Sequence, residues 1–255
     1  MMVQALLAGA LAVTVLSAVP GAARAAQDKG KPRAPRAEYQ VLLCEPVASL
    51  ERKLALSPRA APYETWLFDD SALSMFERGL RLRLRVGSAG SELTLKVARQ
   101  DCHAIAPGLV PGKEGKCEFD VYGSSMHGAV SLTRKLDSRQ TRDLLERRTS
   151  IADALTPAQI RYLREIVKAW PLPADLRPLG PIGNRVLVTP GPKYDVDVST
   201  LPDGERYAEI STKVPLADVD RARASLDAHL AAAGVSVCAD QRGQAATKLR
   251  RLAGP

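Results

Sequence analysis

Residues 79–86 read Gly-Leu-Arg-Leu-Arg-Leu-Arg-Val, and this stretch decides the fold of the chain. Because successive side chains of a β-strand point to opposite faces, its apolar residues share one face and its arginines share the other. Residues 92–97, Glu-Leu-Thr-Leu-Lys-Val, repeat the alternation after a Gly/Ser turn, which predicts an antiparallel hairpin. The polar face of this hairpin then carries Arg81, Arg83, Arg85, Thr94 and Lys96.

The same pattern returns on both sides of the hairpin. Strand-like runs lie at 39–44, 66–69, 117–122, 185–188, 194–199 and 206–213, and the last two flank a Pro-Asp-Gly turn. Helices are predicted at 46–56, 137–147, 156–170 and 216–233, and the third begins with the N-cap pair Thr156-Pro157. The succession predicts one α+β domain over residues 38–238, with a helical insertion at about 137–170.

Both ends of the chain differ from this domain. Residues 6–19 are apolar and are followed by small residues at 23 and 25, which predicts a cleaved secretory signal over residues 1–25. A retained anchor and a helix packed in the core are the alternatives. Residues 26–37 are polar, rich in proline and basic residues, and are expected to form a disordered leader. Residues 239–255 form a basic C-terminal tail.

The positive charge of the protein, +8 with a pI of about 9.5, is concentrated at those ends. The leader and the tail each hold four basic residues and one acidic residue, which leaves the domain between them near neutrality. A near-neutral body offers no broad basic face, so the composition argues against binding of duplex nucleic acid.

Four cysteines remain in the exported chain, and none has the Cys-x-x-Cys spacing of a zinc or redox site. An even count in an exported protein favours two disulfides. Cys102 and Cys117 flank one Pro/Gly-rich loop, so we favour that pair, which leaves Cys44 for Cys238. The alternative is four buried free thiols. Export with disulfides predicts a periplasmic or extracellular location.

The charges on the strand-like segments are the main functional signal. Polar residues on the wet face of a half-buried sheet carry no function by themselves, and solvated charges are the plain alternative here. If the sheet closes into a barrel with its polar faces inward, however, cations and carboxylates line one cavity, and such a cavity needs a charged guest. Guanidinium groups hold phosphate oxygens in pairs, and carboxylates suit Mg²⁺ or Mn²⁺. Arg81 and Arg85 would lie roughly 13 Å apart, long enough to follow several linked phosphates.

Three motifs resemble those of the CYTH-domain proteins, the triphosphate tunnel metalloenzymes. They are Leu-Phe-Asp-Asp at 67–70, Phe-Glu-Arg-Gly-Leu-Arg-Leu-Arg-Leu-Arg at 76–85, and Glu-Leu-Thr-Leu-Lys at 92–96. The resemblance implies a closed antiparallel β-barrel of about eight strands with a polar tunnel, flanked by helices. Members of that family bind linear phosphate chains with a divalent metal. They hydrolyse inorganic or organic triphosphates, cyclise ATP or polymerise phosphate.

The resemblance assigns roles to residues of this chain. Phosphate binding falls on Arg81, Arg83, Arg85 and Lys96, with Arg185 and Lys193 added on strand position alone. The catalytic carboxylate falls on Glu118, with Asp120 as a second candidate, and either Glu118 or a metal-activated water would orient the nucleophile. The ligands of Mg²⁺ or Mn²⁺ fall on Glu38, Asp197 and Glu209. The family's first-strand Glu-x-Glu-x-Lys is absent, and Gln40 and Ser211 stand where carboxylates are expected.

These assignments predict metal-dependent hydrolysis of tripolyphosphate, polyphosphate or an organic triphosphate. Because ligands are missing at both ends of the metal motif, the alternative is a noncatalytic barrel that binds polyphosphate, a phosphorylated ligand or a protein. A third hypothesis is a structural envelope protein with solvated charges, which predicts no ligand-induced rise in melting temperature.

Overall fold

The computed structural model describes residues 35–105, 110, 115–241 and 244–254. The predicted signal segment, residues 26–34 of the predicted leader and most of the loop between Cys102 and Cys117 lie outside the described residues. None of the helices in the described ranges combines the length and apolarity needed to cross a bilayer.

Ten strands make up one sheet. Nine of them close it in the order β8-β3-β4-β5-β7-β6-β1-β10-β9, with β9 pairing back to β8, while the two-residue β2 only extends β8 at its edge. The strands are β1 (Arg36–Leu43), β2 (Ser57–Pro58), β3 (Tyr63–Asp69), β4 (Leu80–Gly87), β5 (Gly90–Ala98), β6 (Gly115–Tyr122), β7 (Ser125–Leu136), β8 (Arg177–Val188), β9 (Asp195–Thr200) and β10 (Arg206–Pro215).

The closed barrel is confirmed, with one difference in pairing. All neighbouring strands are antiparallel except β1 and β6, which run parallel. An odd number of strands cannot close with every neighbour antiparallel, so a nine-stranded barrel must contain such a pair. The barrel has one strand more than the eight expected. The additional strand is β7, which was not predicted, although its Val130 and Leu132 alternate with Ser131 and Thr133.

Helices cover the outside of the barrel. The described helices are α1 (Val47–Lys53), α2 (Ser74–Glu77), α3 (Ser138–Leu145), α4 (Pro157–Tyr162), α5 (Val219–Ala232) and α6 (Gln244–Ala253), and α4 continues as a π-helical turn at Leu163–Val167. Helices α1, α3, α4 and α5 confirm the four predicted ones. The predicted N-cap Thr156 accepts a hydrogen bond from the Gln159 backbone amide through its hydroxyl, and the Gln159 side-chain oxygen accepts one from the Thr156 backbone amide. Helix α6 lies within the basic tail and was not predicted.

The core lies between the barrel wall and these helices, in two large clusters and a third, small one around Leu249 of α6. On one side, Leu82 and Leu84 of β4 are fully buried against residues such as Leu144 and Leu163 of the helical insertion. On the other side, the apolar faces of β1, β9 and β10 pack with α1 and α5, as Ile210 does with Leu226. Because the apolar faces are covered from outside, the polar faces of the same strands point into the barrel.

Both favoured disulfides are confirmed. Cys102 bonds to Cys117, and Cys44 bonds to Cys238 across 194 residues. The second bond holds the chain after α5 beside the end of β1, where the Cys238 amide donates to the Leu42 carbonyl at 2.9 Å.

Candidate functional site in the barrel lumen

Charged side chains from strands on different sides of the barrel meet in its lumen. Burial raises the pKa of Asp197 on β9 and, to about 7, that of Glu209 on β10. The charge of Arg85 on β4 opposes the rise at Asp197, and the charge of Lys96 on β5 opposes the rise at Glu209. Neither pair lies on neighbouring strands. Charges that act on each other across such a distance in the sheet must share the enclosed space, so the polar faces do line one lumen.

The three arginines of β4 form a row along one wall of the lumen. Arg81 lies over the ring of Phe76, with 5.5 Å between the guanidinium carbon and the ring centroid, and Arg85 lies 5.0 Å over Tyr63. Burial, together with the charge of Arg85, lowers the pKa of Arg83 to about 10. In the part of the chain that the structure describes, the buried Nε atoms of Arg83 and Arg85 have no hydrogen-bond partner. Within the described residues none of the three arginines forms an ion pair.

Lys96 lies beside this row because its strand pairs with β4. It is directly opposite Arg81 in the register, and its Nζ is 2.5 Å from a carboxylate oxygen of Asp120 on β6. Thr94, opposite Arg83, shares a 2.9 Å hydrogen bond with Thr133 of β7. The hairpin therefore places Arg81, Arg83, Arg85 and Lys96 together, as the sequence analysis predicts.

The predicted catalytic residue, Glu118, lies in the lumen wall among lysines. Its carboxylate is 2.5 Å from Lys116 Nζ and 3.9 Å from Lys213 Nζ. Burial raises the pKa of Glu118, but the hydrogen bond and charge of Lys116 outweigh it, so the net shift is downward. A carboxylate held ionised in this way is a weak base.

Two of the predicted metal ligands form a close pair. Asp197 and Glu209 are directly opposite each other on β9 and β10. Burial raises the pKa of both carboxyl groups, and the charge of Asp197 raises that of Glu209 further. Two buried like charges need a cation nearby.

The third predicted ligand is elsewhere. Glu209 pairs with Leu42 of β1, so the backbone of Glu38 lies four residues further along that strand, roughly 13 Å from the level of Glu209 at the usual rise. Its charge still raises the pKa of both Asp197 and Glu209. Glu38 instead accepts a hydrogen bond from Ser211 at 3.1 Å and pairs with Lys213 at 3.3 Å. In the described part of the chain no three acidic, histidine or cysteine side chains converge. Because Glu38 is paired with Lys213 and is displaced in register from Asp197 and Glu209, the predicted set of Glu38, Asp197 and Glu209 does not fit a single divalent ion.

Two predicted phosphate-binding residues are not brought into the lumen. Arg185 shares the outer face of β8 with Leu187, which packs in the α1 and α5 cluster, and its guanidinium donates to Glu51 of α1 at 2.8 Å. Lys193 is exposed in the loop between β8 and β9. Arg185 also lines a cavity of about 730 Å³, together with Tyr63 and Asn184.

Two lumen cations were not assigned from the sequence. Lys213 shares a strand face with Glu209 and Ser211, so the alternation could have identified it. Lys248 comes from α6, and its Nζ donates to the Ser199 hydroxyl at 3.1 Å. No strand pattern marks Lys248, because it enters the lumen from a helix.

Two solved structures share this fold. A candidate adenylyl cyclase from Hippeastrum, described as having a dominant triphosphatase activity, is similar with a TM-score of 0.58 and 14% identity, over 84% of this chain and 94% of that one. A candidate adenylate cyclase from Bacillus halodurans is similar with a TM-score of 0.56 and 13% identity, over 83% and 96%. No protein-family model and no curated protein matches the sequence. The comparison confirms, at the level of the fold, the resemblance to the CYTH-domain proteins.

Proposed function

We propose that the lumen binds the linear phosphate chain of tripolyphosphate, polyphosphate or an organic triphosphate. The observation that carries this proposal is the row of Arg81, Arg83 and Arg85, in which two buried Nε atoms have no hydrogen-bond partner among the described residues. Buried donors without acceptors cost free energy, and a bound anion would supply the acceptors. The fork of a guanidinium group binds phosphate oxygens bidentately.

The length of the row favours a chain of phosphates over a single one. Arg81 and Arg85 are four residues apart on β4, which is roughly 13 Å. Lys96 adds a fourth cation at the Arg81 end. Orthophosphate could occupy only part of this row, so we expect affinity to rise with the number of linked phosphates.

Thermal unfolding with and without ligand tests the proposal, because a ligand that binds the folded state raises the melting temperature. We expect tripolyphosphate to stabilise the wild-type protein more than orthophosphate or sulfate at equal ionic strength. The effect should be lost in Arg83→Gln and kept in Arg139→Gln, whose side chain is 90% exposed on α3. Equal stabilisation by sulfate, or a tripolyphosphate effect that survives in Arg83→Gln, would contradict the proposal.

A second candidate is hydrolysis of the phosphoanhydride bond, which two observations favour. Asp197 and Glu209 form an acidic pair in the lumen, and the Hippeastrum protein with the same fold is described as a triphosphatase. This candidate needs Mg²⁺ or Mn²⁺ and keeps Glu118 as the residue that orients the nucleophile. Release of phosphate from tripolyphosphate with either metal, lost in Asp197→Asn, would support it. Binding without release would favour the noncatalytic barrel.

The cysteines support a proposal for the compartment. All four form disulfides, a pattern typical of oxidising compartments. We therefore extend the proposal to a periplasmic or extracellular location. Mass analysis of the protein purified from its native cell tests this, since export predicts a chain that begins after residue 25 and carries no free thiol.

A further inference from the structure

One cation in the lumen comes from outside the barrel wall. Helix α6 brings Lys248 to the lumen faces of β9 and β10, where its Nζ donates to Ser199 Oγ at 3.1 Å and lies 5.2 Å from the centroid of the Tyr207 ring. Ser199 and Tyr207 are paired on β9 and β10, two residues from Asp197 and Glu209 on the same strand faces. The ammonium group is therefore placed next to the acidic pair.

Contacts around Lys248 hold it there. Leu249 is buried against Leu73 and Leu179 at the barrel wall. Arg251 pairs with Asp203, at 3.1 Å, and with Glu205, both of which belong to the turn between β9 and β10. These contacts fix α6 directly after Lys248.

The end of the helix is tied to the barrel as well. The guanidinium of Arg177, at the start of β8, donates to the carbonyl of Ala253 at 3.2 Å. Upstream of α6, the Cys44–Cys238 bond anchors the chain to the end of β1. The insertion of Lys248 is thus part of the fold and not a loose contact of the chain end.

The charges explain why a cation belongs at this point. Burial raises the pKa of Glu209 and of Asp197, and Lys248 is the largest influence that lowers the pKa of Glu209. In return, the charges of Glu209 and Asp197 raise the pKa of Lys248 against the effect of burial. Lys248 makes no direct ion pair with either carboxylate in the described residues, so it acts on them through space.

We propose that Lys248 is the resident cation of the Asp197–Glu209 pair and excludes a divalent metal from it, so that the lumen binds phosphate chains without metal. A divalent ion would have to lose water and approach a fixed ammonium group at the same time. The inference deepens the proposed function and rests on it for the phosphate chain. The exclusion of metal from the acidic pair is tested separately, with Mn²⁺ and without phosphate.

The experiment measures Mn²⁺ binding to the full folded chain, without phosphate, from the electron paramagnetic resonance signal of free Mn²⁺. We compare the wild type with Lys248→Met and with Arg250→Met, a matched control that removes an exposed cation from the same helix. Removal of a like charge a few Å away should tighten Mn²⁺ binding at least about tenfold in Lys248→Met. Arg250→Met should bind like the wild type.

A double variant assigns the gain to the acidic pair. Glu209→Gln added to Lys248→Met should abolish the new site. Equal Mn²⁺ binding by the wild type and a folded Lys248→Met would overturn the inference, and so would a gain that persists in the double variant. Lys248→Gln, which retains a donor for Ser199, serves if the methionine variant does not fold. If neither variant folds, the wild type is compared with Glu209→Gln. Mn²⁺ binding by the wild type that is lost in Glu209→Gln would overturn the inference, because the acidic pair would then hold a metal with Lys248 present.

A final arm separates this inference from the proposed function. The tripolyphosphate-induced rise in melting temperature is measured for the wild type with a chelator present, and it should persist undiminished. If the chelator removes it, the metal-free part of the inference fails while the lumen still binds phosphate. If no phosphate effect occurs under any condition, the proposed function fails, and the Mn²⁺ comparison still decides the role of Lys248.

Discussion

Arg85 on β4 and Asp197 on β9 act on each other across the lumen, although β3 and β8 separate their strands in the sheet. The positive charge of Arg85 lowers the pKa of Asp197 against the effect of burial. On an open sheet these residues would be three strands apart, about 14 Å at the usual spacing. Their coupling follows from closure of the barrel, and the proposals above depend on it.

Arg83→Lys should weaken tripolyphosphate binding although it preserves the charge. A lysine ammonium is a point charge that cannot offer two parallel donors to a phosphate. Its shorter side chain would also leave phosphate oxygens without a donor. We expect a loss of about tenfold or more in affinity, because charge-assisted hydrogen bonds contribute about 1.5–3 kcal/mol each. Isothermal titration calorimetry measures the change.

Arg139→Lys on the exposed face of α3 is the control and should bind as tightly as the wild type. If Arg83→Lys and Arg139→Lys show the same affinity, the bidentate role of Arg83 is wrong and the row acts through charge alone.

Leu82→Ala should destabilise the fold by about 2–5 kcal/mol. Leu82 is fully buried between β4 and the helical insertion, so truncation leaves a cavity that its neighbours can only partly fill. Urea unfolding followed by circular dichroism gives the free energy of unfolding.

Val237→Ala provides the comparison, because Val237 is 50% exposed and should change stability by less than about 0.5 kcal/mol. A similar loss in both variants would contradict the assignment of the leucine face to the core.

The two disulfides should differ in how much they stabilise the protein. Cys44 and Cys238 are separated by 194 residues, and Cys102 and Cys117 by 15. In the chain-entropy model a longer loop gives a larger effect, about 5 kcal/mol for the first bond and about 3 kcal/mol for the second. Paired Cys→Ser variants compared by chemical unfolding should show the larger loss for Cys44 and Cys238. The reverse order would show that the entropy of the unfolded chain does not set the difference.

Glu45 should contribute to stability at neutral pH and lose that contribution in acid. Its carboxylate accepts hydrogen bonds from Ser49 Oγ and the Ser236 amide and pairs with Lys53, and the Lys53 hydrogen bond leads the causes that lower its pKa to about 2. A group whose pKa is lower in the folded state stabilises above its unfolded pKa, here 4.5, and the effect fades as the pH falls toward 2.

The measurement is the difference in melting temperature between the wild type and Glu45→Gln across this range. The difference should be largest above pH 5 and shrink steadily below it. Because both proteins share all other titrating groups, those groups cancel in the comparison. A difference that does not depend on pH would show that the Glu45 contacts act without its charge.

Much of the site could be predicted because it depends on local alternation. The leucines and arginines of residues 79–86 separate onto two faces in any β-strand, and the Gly/Ser turn brings Lys96 beside Arg81 whatever the rest of the chain does. The disulfide pairs followed from the compartment and one short loop. The strand β7 was missed although its apolar residues alternate, because a charged helical stretch follows it directly.

Alternation divides a strand into two faces but does not say which face is inside. Arg185 was assigned to the lumen by its strand position, yet it shares its face with Leu187, and the packing of Leu187 near α1 turns Arg185 outward to Glu51. That outcome depends on a helix more than 130 residues earlier in the chain. The register between β1 and β10, which places Glu38 four residues from the level of Glu209, is equally nonlocal.

The residue pattern alone therefore establishes a cationic strand face, its hairpin partner and the helices that cover the apolar side, since each arises from neighbours in the chain. Closure of the barrel, the separation of Glu38 from the acidic pair and the entry of Lys248 arise only when distant segments pack together. Lys248 is 49 residues from Ser199, and no local propensity specifies that contact. It exists because burial of Leu249 and the Arg251 ion pairs hold α6 against the barrel.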